Sequence, residues 1–166
     1  MTLHEQRSYF KAASESATDS PFSRAFNNWQ YEQCREVKIR SYKDHPEVHR
    51  RVDEFIKTCG EPEVKRCFEN ALALCMHDMS MLYVEGYCVL KHKDFLTPSQ
   101  THAWNCYDGF HFDLTTEIGL RKIAPDVGFD DYLQIIALEP LRAAKLAERT
   151  DLELAVEVFR EIYNRD

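Results

Sequence analysis

The sequence predicts an α+β protein in which a small antiparallel sheet packs on a cysteine-bearing helix, with further helices at the N- and C-terminal ends. Three observations carry that reading. Apolar Val64, Phe68, Ala71, Leu72, Cys75 and Met79 recur at helical spacing, which predicts a core helix over residues 62–80. The run Met81 to Leu90 is β-branched and aromatic, broken only by Gly86, as expected for a largely buried strand. Asp108-Gly109 sits between two aromatic-rich runs, the strongest short-range signal for a two-residue type I′ hairpin turn.

The elements follow in order. Residues 3–17 have weak helical periodicity, and Thr18-Asp19-Ser20-Pro21 gives a turn with a new helix starting at Pro21. His45-Pro46 opens another helix, with Val48, Val52, Phe55 and Ile56 on one face. Gly60 and Pro62 mark the start of the core helix, so Cys67 falls in its early part. After the strand, Lys91 to Gln100 reads as a polar loop, and residues 101–107 and 110–115 form the hairpin. A loop through Pro125 and Gly128, a helix from Phe129 and a break near Pro140 come next. A final helix is capped by Thr150 or Asp151 and carries the stripe Leu152, Ala155, Val156, Phe159 and Ile162. The expected organisation is a single domain, 1–166: a helical part (1–59), a core of helix and antiparallel sheet (60–116) and a second helical part (117–166).

Composition narrows the function. With 166 residues, 44% of them hydrophobic and 12% aromatic, the chain can bury a substantial core without disulfides or metal. A formal net charge of −7, with the basic residues scattered, repels phosphate backbones and argues against a nucleic-acid partner. No apolar run follows a basic N-terminal region, and no stretch approaches the roughly 20 apolar residues that cross a bilayer. A cytoplasmic protein with no membrane partner is expected. The six cysteines (Cys34, Cys59, Cys67, Cys75, Cys88 and Cys106) include no CxxC pair, so reduced thiols are expected.

The hairpin makes a geometric prediction. With the turn at Asp108-Gly109, Tyr107 faces Phe110, Cys106 faces His111, Asn105 faces Phe112, Trp104 faces Asp113 and His102 faces Thr115. His102 and Asp113 are then diagonal neighbours on one face, with backbones roughly 7–8 Å apart, within reach of an imidazole and a carboxylate. That is the base and its orienting group in a catalytic triad. Cys67 offers the nucleophile, since an early-helix position and the adjacent Lys65-Arg66 pair favour a thiolate. Cys75 and Cys88 read as small buried hydrophobes. Trp104 packs at the core edge and shields the imidazole, while Glu85 and Tyr87, on one strand face, read as structural.

A helix bearing Cys67, the strand Tyr83-Val84-Glu85-Gly86-Tyr87, then His102-Ala103-Trp104 and Asp113-Leu114-Thr115 form a "GY…HAW…D-x-T" order. Over roughly residues 60–116 this resembles the transglutaminase-like branch of the papain-like cysteine hydrolases, and small bacterial and phage proteins related to that branch. The resemblance implies a papain-like or transglutaminase-like core, with Cys67 as nucleophile, His102 as general base and then acid, and Asp113 orienting the imidazole. Trp104 and Asn70 are expected to support the site. The implied chemistry is thiol-dependent acyl transfer or amide hydrolysis on a protein or small amide substrate, without a cofactor. Early-helix N–H groups near Cys67 would receive the oxyanion.

Two other classes use the same residues. His102, Cys106, His111 and Asp113 share a face and are all zinc-ligand types, but Trp104 stands among them and no tight ligand knuckle is present. A non-catalytic binding or inhibitor protein on a hydrolase-like scaffold is the other alternative. In it the segment 1–45, with Tyr9, Phe10, Phe22, Phe26, Trp29 and Tyr31, docks a protein partner or covers the site.

Overall fold

Capping residues set the N-terminal helices in the computed structural model, which describes residues 2–93, 95–150 and 153–165. Helix α1 (Leu3–Ser14) starts on a reciprocal capping box between Thr2 and Glu5. Helix α2 (Pro21–Gln33) starts on Ser20, whose side chain accepts from the Ser23 N–H, with proline at its first position. Helix α3 (Pro46–Cys59) buries Val48, Val52 and Phe55, and Gly60 ends it with φ 88°. Most aromatic residues of the N-terminal segment pack against the rest of the fold, while Tyr9 is exposed. Phe10 packs on Tyr87 with ring centres 5.2 Å apart, and Phe22, Phe26 and Trp29 gather around Phe159.

The sheet has the strand order β1-β6-β2-β4-β5, all pairs antiparallel: β1 (Arg35–Val37), β2 (Leu82–His92), β4 (Gln100–Tyr107), β5 (Phe110–Phe112) and β6 (Val127–Leu138). A short β3 (Phe95–Leu96) pairs with the far end of β2. The sheet curls until the chain just after β1 meets β5. Ile39 bridges to His111, and the Arg40 N–H donates to the His111 carbonyl at 3.0 Å. At Gly86 the register of β2 and β6 shifts, and a Cβ there would lie 2.0 Å from the Leu133 carbonyl oxygen, so the close approach of β6 requires glycine. One face of the sheet packs on helix α4 (Cys67–His77) through Ala71, Leu74 and Cys75. The other lines the inside of the curl with Val84, Cys88, Trp104, Cys106 and Tyr132.

Several expectations are corrected. The stretch from Phe129, expected to be helical, is strand β6, the partner of both β1 and β2. Tyr132, Leu133, Ile135, Ile136 and Leu138 are buried on both of its faces. A strand buried on both faces loses its polar alternation, and spacing alone then cannot separate it from a helix. The parts 1–59 and 117–166 are therefore not purely helical, since the first holds β1 and the second β6. Helix α4 begins at Cys67 rather than near residue 62. Pro62 lies ahead of it in irregular chain, Lys65 has a left-handed φ of 65°, and Val64 and Met79 fall outside the helix. The C-terminal region holds two helices, α5 (Pro140–Ala147) and α6 (Leu154–Tyr163). Glu153, not Thr150, occupies the cap position of α6, and Leu154, Ala155, Val158 and Phe159 are its buried residues. Asp151 and Leu152 lie outside the described residues. The six cysteines are free thiols, and among the described residues no helix is long and apolar enough to cross a membrane.

Candidate active site

The hairpin turn forms as its residues dictate. Asp108 and Gly109 both take positive φ, 46° and 76°, the backbone of a type I′ turn. The register is Tyr107 with Phe110, Cys106 with His111 and Asn105 with Phe112. The ladder stops there, so the expected facing of Trp104 with Asp113 and of His102 with Thr115 is not realised as strand pairing. The reason is Asp113 itself, whose Oδ1 accepts the Thr116 N–H at 3.1 Å and caps the π-helical turn Thr115–Gly119.

The other carboxylate oxygen of Asp113 faces the sheet. Oδ2 lies 2.8 Å from His102 Nε2 and accepts the Tyr132 hydroxyl at 2.6 Å. Asp113 is 0% exposed and His102 6%. Burial alone would push the imidazole down, but the Asp113 carboxylate outweighs it, with help from the hydrogen bonds, and His102 is held well above its ordinary value. Asp113 is held below its own ordinary value: burial opposes ionisation, but the His102 ring and the three donated hydrogen bonds overcome it. Trp104 lies near-parallel to the His102 ring at 6.4 Å, and Tyr132 meets that ring edge-on at 5.8 Å. Sequence reasoning missed Tyr132 because it lies in the stretch expected to be a helix.

With Nε2 committed to Asp113, the second ring nitrogen of His102 remains for a further partner, and Cys67 is among the groups that raise the value of this ring. Cys67 is the first residue of α4 and is half-buried. No side chain caps this helix end, and the first backbone bond of the turn is Asn70 N–H to the Arg66 carbonyl, 2.8 Å. The N–H groups of Cys67, Phe68 and Glu69 therefore have no partner within the helix. Arg66 is engaged with Glu63 and Glu69, at 3.3 and 3.5 Å, so its charge is shared away from the thiol. Asn70 does not touch the three residues. It holds the approach to the helix, exchanging bonds with the Glu63 backbone and donating to Thr115 Oγ1 at 3.0 Å. Gly119 completes this buttress. A Cβ there would come within 3.1 to 3.3 Å of the backbone of residues 62–64, so the Cys67 loop rests directly on the turn that Asp113 caps.

A groove of about 530 Å³ runs between the start of α4 and the α5–α6 connection, lined by Lys65, Phe68, Leu72, Tyr83, Glu153 and Leu154 among others, Cys67 itself not among them. Its floor is braced by Glu85, which is 2% exposed. The Glu85 carboxylate accepts the Tyr83 hydroxyl at 2.6 Å and the N–H groups of Leu154 and Ala155 at 2.9 Å, tying β2 to the first turn of α6. Burial pushes this carboxyl up to about 7 despite those three donors. Tyr87 donates to the Gln30 side chain at 3.0 Å, so both residues serve the fold.

The face-sharing set of possible zinc ligands does not gather around a point. His111 Nδ1 accepts the Trp104 indole N–H at 3.1 Å, His102 is spent on Asp113, and no three His, Cys, Asp or Glu side chains among the described residues form a metal-holding group. Cys75 and Cys88 are buried, and burial pushes their thiols up to about 12 and about 11. Burial also raises the Cys34 and Cys106 thiols. No protein-family model matches this chain, and comparison with curated proteins and with solved structures gave no match.

Proposed function

We propose that this protein is a thiol-dependent acyltransferase or amide hydrolase built on a papain-like, transglutaminase-like core. The observation that carries the reading is the buried His102–Asp113 pair, with Asp113 on Nε2 at 2.8 Å and the second ring nitrogen left for a thiol, together with Cys67 at the open end of helix α4. Asp113 strengthens the proton affinity of His102, so the ring takes the proton from Cys67 as the sulfur attacks a carbonyl carbon. The C–S bond forms as the carbonyl π bond opens, and the resulting oxyanion is received by the N–H groups at the start of α4. His102 then returns its proton to the departing amine as the C–N bond breaks. Water or a second amine resolves the thioester by the same proton path. Tyr132 and Thr116 fix the Asp113 carboxylate, and Trp104 keeps water from the ring face.

The test uses p-nitrophenyl acetate as a generic acyl donor. Mass spectrometry of the quenched reaction is expected to find the acetyl group on Cys67, with p-nitrophenol release lost in Cys67→Ala and strongly reduced in His102→Asn. Acetylation spread over the exposed lysines, with release unchanged in Cys67→Ala, would contradict the proposal.

A further inference from the structure

A second constellation lies at the seam where the chain leaving β1 meets the β4–β5 hairpin. A groove of about 430 Å³ there is lined by Arg35, Glu36, Lys38, Arg40 and His111 among others. None of the three cations forms an ion pair among the described residues. Arg35 donates to the Gln134 amide oxygen at 3.0 Å, and the Arg40 guanidinium lies 4.4 Å from the centre of the Phe110 ring. In a chain of net charge −7 this is a local reversal of sign. Three cations against the single carboxylate of Glu36 leave a surplus of about two positive charges, close to the roughly −1.5 to −2 that a phosphate monoester carries at neutral pH.

His111 supplies the directional element. It is 8% exposed, and because its Nδ1 accepts the Trp104 indole N–H, the ring proton of the neutral form sits on Nε2. Burial and the neighbouring Arg35 and Arg40 drive this ring down to about 4, so at neutral pH it is an uncharged N–H donor. Nε2 has no acceptor among the described residues, and the residue lines the groove.

We propose that this groove binds a phosphate monoester, with Arg35, Lys38 and Arg40 balancing its charge and the His111 Nε2–H donating a fixed hydrogen bond to one of its oxygens. The backbone of a nucleic acid, with one charge per phosphate spread along a strand, does not fit a short groove with a surplus of two. The site is separate from Cys67, yet Trp104 connects it to the His102 side, bonded to His111 and with its ring centre 6.4 Å from that of His102.

The probe is inorganic phosphate, titrated into the full chain at constant ionic strength made up with chloride and followed by ¹H–¹⁵N spectra of the indole and imidazole groups. A saturable shift of the Trp104 indole is expected, with the Trp29 indole still, together with a rise of His111 titration by about one unit, since a bound anion favours the imidazolium. Both Lys38 and Arg40 are exposed, so the Lys38→Gln/Arg40→Gln variant keeps the fold, and it is expected to bind at least tenfold more weakly. A phosphoserine peptide and a nucleoside monophosphate, each used to displace inorganic phosphate, separate a protein-borne phosphate from a small-molecule one. A non-saturating shift, unchanged affinity in the double variant, or displacement by neither phosphate ester would overturn the proposal.

Discussion

Asp113 is buried completely and accepts from His102, Tyr132 and the Thr116 backbone, so an Asp113→Asn substitution removes the charge while nearly preserving the volume. Breaking a buried pair by neutralising one member costs about 3–5 kcal/mol. The pH dependence of that cost is the sharper signature. In the wild type the folded-state value of His102 is raised, so above its unfolded value of about 6.5 the folded protein keeps a proton that the unfolded chain releases. Its contribution is full below about pH 6.5 and falls by about 1.4 kcal/mol per pH unit as pH rises towards the folded value. The lowered value of Asp113 acts at the acid end, where stability is lost as pH falls through it. In Asp113→Asn only burial remains to act strongly on the ring. The His102 value drops below about 6.5, and stability through this group rises with pH and then levels off. The difference between the two proteins is expected to shrink, by up to about 2 kcal/mol, between pH 6.5 and pH 8. Urea denaturation of both at pH 5, 6.5 and 8 measures it, and the Glu85 contribution, present in both, cancels. A difference that stays constant over this range would refute the ion-pair account of the site.

Three further outcomes follow from the same packing. The folded-state value of Glu85 stands at about 7 against an ordinary 4.5, so stability falls as pH rises from 4.5 to 7, by about 3 kcal/mol over the window. Glu85→Gln is expected to flatten that slope in denaturation curves taken across the window, and an unchanged slope would place the titration elsewhere. Asn70→Ala removes the clamp on Glu63 and Thr115, and about 1–3 kcal/mol of stability and a slower alkylation of Cys67 are expected, read by urea denaturation and by mass spectrometry. In Gly86→Ala the new methyl meets the Leu133 carbonyl at the centre of the sheet, a loss of about 3 kcal/mol or more in thermal unfolding. A variant as stable as the wild type would show that β6 yields there.

The part of the site that was legible is the part set by local chemistry. An Asp-Gly turn fixes its own φ values and therefore the register of the hairpin, and register places His102 within reach of Asp113. Less legible was anything decided by contact between distant segments. Tyr132 reaches Asp113 only because residues 127–138 form the strand between β1 and β2, and its two-sided burial erased the alternation that marks a half-exposed strand. The start of α4 at Cys67 depends on the left-handed Lys65 and on Asn70 holding the Glu63 backbone, neither of which periodicity reports. The later start sharpens the candidate site, since it moves Cys67 from inside the helix to its open end.

The central claim, that Cys67 is the thiol activated by His102, is tested most directly by the pH profile of alkylation with limiting iodoacetamide, mapped by mass spectrometry for all six cysteines. Four of them are buried, which leaves exposed Cys59 as the competitor. Cys67 is expected to label first at mildly acidic pH, ahead of Cys59, and to lose that lead in His102→Asn. Faster labelling of Cys59 at mildly acidic pH, or a Cys67 profile unchanged by His102→Asn, would contradict the account.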